Sequence, residues 1–287
     1  MAFLGDYHTH TVYSRNGKKL HAKGSVLENV KAAKAAGLIE IAVTDHGYKH
    51  VYGVEGEDAY ARLKADCAQA EKAVGGIKVY AGLENNLNPK SGDPSEKDKN
   101  GQPYPPFIEC SQNVIDELEI IQGGYHAFIG TPKLFGNMMF WTRNVIFKFL
   151  PSRKELIAHN TAAYKRMIDE YPIDFIGHLN RGIMADAVEV AKYARSKGVY
   201  IELNGRHKSL TENEIKQMVR ADVQFICNSD AHDPKDVGKM TFGEQMIKEC
   251  GIPYELIANW NRLPDFRSPN FKAARKSKDK TPECVTE

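Results

Sequence analysis

Short apolar runs alternate along the chain with longer stretches whose apolar positions recur at helical spacing. The runs at 2–7, 39–44, 77–83, 118–122, 173–177, 199–203 and 223–227 are compact, and each predicts a strand; the β-branched run at 39–44 suits a strand buried in a parallel sheet. Helices are predicted between them. Ser25 caps one whose apolar positions Val26, Val30 and Ala33 share a face, and Gly37 stops it. The Ala-, Lys- and Glu-rich stretch 57–74 is a second, ended by Gly75 and Gly76, and 155–171 and 186–197 are two more. Thr211 with Glu214 three residues on is a capping box that opens the next. An apolar segment near 254–260 closes the series. Strand followed by helix, about seven times over, predicts an α/β barrel of parallel strands whose C-terminal ends converge on one face.

Three stretches fall outside this pattern. Residues 85–106 are polar and rich in Gly, Pro, Lys and Asp, and read as a surface insertion with no domain boundary. Residues 131–151 are greasy without clean alternation, with Leu134, Phe135, Phe140 and Trp141 among them. They predict a helical insertion packed on the barrel in preference to a lid over its mouth. Residues 266–287 turn basic and then polar and predict a flexible tail, which leaves 1–265 as a single domain.

A chain of 287 residues suits one barrel of this kind, commonly about 250 residues long. A net charge of +2 supplies no broad basic field for nucleic acid. The five cysteines are odd in number and contain no C-x-x-C pair, which argues against a disulfide framework or a thiolate zinc site and for a reducing cytosol. No signal core or run of about 18 apolar residues is present, so a cytoplasmic protein without a membrane span is expected.

The strand ends carry the chemistry. In Asp6-Tyr7-His8-Thr9-His10-Thr11 an extended backbone sends His8 and His10 to the same side, close enough to grip one ion. His46, Glu84, His126, His178, Asp230 and His232 stand at the ends of later strands, and His21 lies in the loop after the first. Any one of them is explained by a turn, a cap or a satisfied core histidine. Their recurrence at corresponding places is not. Imidazoles and carboxylates without thiolates suit Zn, Mn or Fe, and a carboxylate able to bridge two ions about 3.5–4 Å apart lowers the pKa of bound water and makes hydroxide near neutral pH. Asp6 and Asp45, each near a ligand-type histidine, are expected to orient imidazoles or to serve as plain turn residues. His50 and His159 fit no strand end and are expected on the solvated surface, whereas His207 stays open.

The four segments Asp6-Tyr7-His8-Thr9-His10-Thr11, Thr44-Asp45-His46-Gly47, Gly177-His178 and Ser229-Asp230-Ala231-His232 resemble, in order, the motifs of the PHP (polymerase and histidinol phosphatase) superfamily. The resemblance runs from about residue 3 to residue 260. It implies a distorted (β/α)7 TIM-like barrel holding two or three divalent transition metal ions and hydrolysing phosphoesters. Position by position, it implies His8, His10, Glu84 and Asp230 around one ion, Glu84, His126 and His178 around a second, and His21, His46 and His232 around a third. Glu84, Asp230 and His232 would then stand at the reacting centre. Arg181 and Arg206 resemble the phosphate-binding arginines of the histidinol-phosphatase branch, with Lys208 a weaker candidate, and guanidinium forks match phosphate oxygens. The expected activity is hydrolysis of a small phosphorylated substrate, histidinol phosphate being the first to try. The alternatives are a nucleotide or nucleic-acid phosphodiesterase of the same superfamily and a non-catalytic metal-binding regulatory module. Absence of polymerase modules and of a concentrated basic groove argues against the first, and a complete ligand set against the second.

Overall fold

Seven strands pair in parallel, in chain order: β1 (Gly5–Asp6), β2 (Glu40–Val43), β3 (Lys78–Asn86), β4 (Ile120–Gly124), β5 (Phe175–Ile176), β6 (Tyr200–Asn204) and β7 (Phe225–Asn228). They belong to a computed structural model in which residues 2–107, 109–126 and 153–279 are described. The ring closes where Thr9 bridges Ala231 and the His10 N–H donates to the Ala231 carbonyl at 2.9 Å. The fold is therefore a nearly closed, distorted (β/α)7 barrel. Around it lie α1 (Val26–Ala35), α2 (Asp58–Val74), α3 (Gln112–Glu117), α4 (Arg153–Glu170), α5 (Ala187–Ser196), α6 (Glu212–Arg220) and α7 (Thr241–Cys250). The expected capping box of Thr211 and Glu214 forms at the start of α6, and Ser25 with Glu28 forms another at α1.

Strand alternation sorts the side chains into two layers. Ile41, Val43, Val79, Ala81, Leu83, Ile176, Ile201 and Leu203 face outward and pack under the helices in one large apolar cluster. Tyr7, Ala42, Tyr80, Ile120, Phe175 and Ile226 face inward and form a second, smaller cluster in the barrel's interior. Glu84 follows Tyr80 at even spacing, so the parity that buries the tyrosine also turns the carboxylate into the barrel.

Residues 266–279 of the expected flexible tail instead form the barrel's floor, and 280–287 lie outside the described residues. Pro269–Asp279 is a helix, α8, with proline at its first position, where a missing N–H costs nothing. Phe266 and Phe271 join the interior cluster, with Phe266 edge-on to Tyr7 at 4.9 Å between ring centres and Phe271 at 4.8 Å from Tyr80. Beneath them Arg275 Nη2 donates to both oxygens of buried Glu40, at 2.8 and 2.7 Å, and Glu40 also accepts the hydroxyls of Tyr7 and Tyr80 at 2.6 and 3.1 Å. The expected surface insertion also begins inside the fold: Asn85 and Asn86 belong to β3, and Leu87, Pro89 and Ser91 are buried. The apolar stretch 131–151 lies outside the described residues.

Candidate metal centre

At the C-terminal mouth of the barrel the expected residues converge on Glu84. This carboxylate, 1% exposed, stands 3.4 Å from His8 Nε2, 3.3 Å from His10 Nε2, 3.1 Å from His46 Nδ1, 3.5 Å from His126 Nε2 and 2.9 Å from His178 Nε2. Asp230 closes the set, its Oδ1 at 3.5 Å from His8 Nε2 and 3.6 Å from His10 Nε2. His21 and His232 meet each other at 2.9 Å between their Nε2 atoms. The first two expected sets are thus brought together. Of the third, His46 has its ring centre 5.2 Å from that of His21 and its Nδ1 beside Glu84, and all three line one cavity.

Among the described residues, four groups of three donor atoms lie within 4.8 Å of one another: His8, His10 and Asp230; His8, Glu84 and His178; His10, His46 and Glu84; and His46, His50 and His126. Glu84 Oε2 and His46 Nδ1 are buried with no hydrogen-bond partner, a costly arrangement unless a cation sits between them. Burial opposes charge on Glu84, yet the surrounding imidazoles, His126 and His8 foremost, hold its carboxyl well below the usual range. Burial pushes His46 and His126 well below the ordinary imidazole range and His21 down to about 4, whereas, against burial, Glu202 and Asp230 hold His8 well above that range and Asp230 and Glu84 raise His10 to about 9, so ion binding at those two rings would displace protons. Imidazoles and carboxylates without thiolates are a donor set that fits divalent transition ions.

Sequence reasoning missed the residue that aims His8. Glu202, buried in the interior of β6, accepts the His8 Nδ1–H at 2.8 Å and the His178 backbone N–H at 2.8 Å, and so turns His8 Nε2 toward Glu84. Its signal was a carboxylate at an inward position of a strand otherwise fit for burial. We expect Glu202→Gln, which keeps the shape and loses the charge, to weaken ion binding about 10–100-fold with the fold intact. Titration against a competing chelator measures it, and an unchanged affinity refutes the aiming role.

Asp6 and Asp45 orient loops rather than imidazoles. Asp6 accepts the backbone N–H groups of Ser229 and Gly238 at 3.1 and 3.0 Å, and Asp45 accepts the Thr11 backbone N–H at 2.9 Å and the Thr11 and Ser14 hydroxyls. The Asp45 carboxylate is 3.9 Å from His10 Nδ1, beyond a hydrogen bond. Two ligand-type residues carry backbone strain, His178 at φ 29° and Asp230 at φ 55°, where side chains are rarely tolerated. Asp6 pins the loop of Asp230 from one side, and Asn204 Nδ2 donates to Asp230 Oδ2 at 3.2 Å from the other.

Asn204 also accepts the backbone N–H groups of Arg206 and His207, at 2.9 and 2.8 Å. Arg181, Arg206 and His207 line one cavity of about 330 Å³ with His10, His46 and Glu84, and His207 Nε2 is 3.6 Å from Asp230. Lys208 is not among the residues lining that cavity; its ammonium pairs with Glu249 at 3.7 Å. His159 is half-buried, donates to the Pro89 carbonyl at 2.7 Å and is not among the residues lining that cavity. His50 contradicts its expected surface place: it is 9% exposed and packs on His46 with ring centres 4.1 Å apart. The turn 47–53 folds it inward, and any side chain at Gly53 would strike the Gly47 carbonyl, its Cβ only 1.9 Å away.

Residues 6–206 match the family model of the PHP domain. The chain belongs to the PHP domain family. That match takes in His8 through His178 and both arginines; Asp230 and His232 lie beyond it and are placed by β7. Among relatives of this PHP chain, a probable phosphatase of Acetivibrio thermocellus is 25% identical over 268 residues, covering 90% of this chain and 92% of that protein. A probable phosphatase of Thermoanaerobacter sp. is 26% identical over 268 residues, covering 90% and 91%. A solved histidinol phosphate phosphatase from Lactococcus lactis subsp. lactis, complexed with zinc, L-histidinol and phosphate, superposes with a TM-score of 0.59 over 93% of this chain and 98% of that one. At 17% identity the likeness establishes the shared fold. Among the described residues, no helix is long and apolar enough to cross a membrane.

Proposed function

We propose that this hydrolase of the PHP domain family removes phosphate from a small phosphomonoester at two or three divalent ions held by His8, His10, His21, His46, Glu84, His126, His178, Asp230 and His232. The observation that carries the reading is the sharing of one cavity by Arg181, Arg206 and the Glu84 cluster. At about 330 Å³ that cavity has the size of a small-molecule site. Ions bound there activate water and spread the charge of the phosphate. The chain's own residues do the rest. Arg181 and Arg206 bind the terminal phosphate dianion with convergent guanidinium groups, and a diester, with one charge and two substituents, gains less from them. Asn204 sets the backbone of the Arg206 loop through its two accepted N–H bonds. The named activities of the relatives and the zinc, L-histidinol and phosphate of the Lactococcus protein agree with this reading and make histidinol phosphate the first substrate to try.

We expect Arg181→Ala and Arg206→Ala each to lower kcat/KM on a monoester by about 100-fold, near 3 kcal/mol, with ion content unchanged. A diester reporter should be cleaved poorly by the wild type and respond weakly to either change. A wild type that prefers the diester supports the phosphodiesterase instead, and one that hydrolyses neither ester when metal-loaded supports the regulatory module.

A further inference from the structure

We propose that His50 is a fixed hydrogen-bond donor that reads the alcohol half of the substrate; the inference rests on the phosphomonoesterase reading above. Its ring lies with His46 and His126, and the three present nitrogens within 4.8 Å of one another, so a further metal ligand is the first thing to ask of it. The direction of its other contact answers no. A ligating imidazole turns its second nitrogen to an acceptor, which fixes the proton there and frees the lone pair for the ion. His8 does this through Glu202, which accepts from its Nδ1 at 2.8 Å. At His50 the second nitrogen meets a donor: the Tyr52 backbone N–H points at Nδ1 over 3.2 Å. A neutral ring that accepts at Nδ1 carries its proton on Nε2 and has no lone pair there to give.

Among the described residues that Nε2–H has no hydrogen-bond partner, and His50 lines the same cavity as the arginines. Its place in the barrel says what it faces. In the ring order β1 to β7, the loop after β2 stands three strands from β5 in one direction and four from β6 in the same direction, which is across the mouth from the loops carrying Arg181 and Arg206. With the phosphate held on the arginine side, the alcohol half of a small ester is carried toward His50. Two features stiffen that wall: the 47–53 turn, in which the His50 N–H donates to the Gly47 carbonyl at 2.8 Å, and Tyr52, stacked on His21 with 4.8 Å between ring centres. A rigid N–H there favours monoesters whose alcohol carries an oxygen or nitrogen acceptor near the ester carbon over plain alkyl phosphates.

The test compares wild type, His50→Phe and His50→Gln, all metal-loaded, on glycerol 3-phosphate and on n-propyl phosphate, which have equal carbon chains with and without hydroxyls. Phenylalanine keeps the stacking on His46 and removes the donor; glutamine restores an N–H. We expect wild type to prefer glycerol 3-phosphate, His50→Phe to lose about tenfold in kcat/KM on it with n-propyl phosphate unaffected, and His50→Gln to recover part of the loss, as one neutral hydrogen bond is worth. Ion content should be the same in all three. Loss of an ion in His50→Phe makes His50 a ligand and overturns the proposal, as does an equal loss on both substrates or a wild type with no preference between them. A wild type inactive on both esters, and on histidinol phosphate, overturns the phosphomonoesterase reading itself and with it the inference.

Discussion

We expect replacement of Glu84 with glutamine to remove most turnover, about 10³-fold or more, from a protein that still folds. No other side chain at the centre has so many partners: five imidazoles stand within 3.5 Å of its two oxygens. A neutral amide of the same shape keeps a carbonyl for the Gln122 Nε2–H, which donates to Glu84 Oε1 at 2.8 Å, so the β3–β4 contact survives. What it would lose is the charge by which, on the proposed reading, one group serves two ions, and several kcal/mol of transition-state stabilisation would go with it; about 4 kcal/mol corresponds to the stated factor. Elemental analysis of the variant should show fewer ions per chain than wild type, with circular dichroism unchanged. A folded Glu84→Gln protein with most of its activity and its full ion content would refute the bridging role.

The largest expected loss of stability lies at the opposite end of the barrel. Arg275→Met leaves the Glu40 carboxylate, 1% exposed, with only the Tyr7 and Tyr80 hydroxyls for company. An uncompensated buried charge costs about 3 kcal/mol or more, whereas neutralising both partners is far milder. We therefore expect Arg275→Met to be destabilised by about 3 kcal/mol in urea at fixed metal concentration and the Glu40→Gln/Arg275→Met double variant to regain much of it. Ending the chain at residue 265 should be worse, since it also strips Phe266 and Phe271 from the interior aromatic cluster. Should Arg275→Met unfold at the wild-type midpoint, α8 is an appendage and the floor is built by the strands alone.

These two ends of the barrel were unequally legible in the sequence. The mouth could be read because each strand stops at a group whose chemistry differs from the apolar run before it, as Ile39–Thr44 stops at Asp45-His46 and Val223–Cys227 at Asn228-Ser229-Asp230. The floor could not, because its two halves are 235 residues apart: Glu40 is a lone carboxylate in β2, and Arg275 one cation in a basic stretch. The spacing of Phe271, Ala274, Arg275 and Lys278, one face of a helix, was the available signal, and the surrounding charge masked it. Glu202 was hidden by its own strand, where the apolar neighbours Ile201 and Leu203 set the tone. His50 was misplaced for a different reason. Its burial depends on a tight turn between Gly47 and Gly53, and turn closure over a cavity is a tertiary event that local polarity does not report.

The left-handed backbone at His178 and Asp230 means that the cost of shaping the centre falls on folding and not on ion capture. Each such residue forfeits about 1–3 kcal/mol of backbone energy, recovered from the packing of the surrounding barrel. An arriving ion meets donors already aimed by Asp6, Asn204 and Glu202, and its binding energy is not consumed in reshaping two loops. The same rigidity makes the centre a template of fixed dimensions: ions of similar radius exchange in it on terms set by supply, while one that demands a different coordination shape must deform a closed barrel to be held.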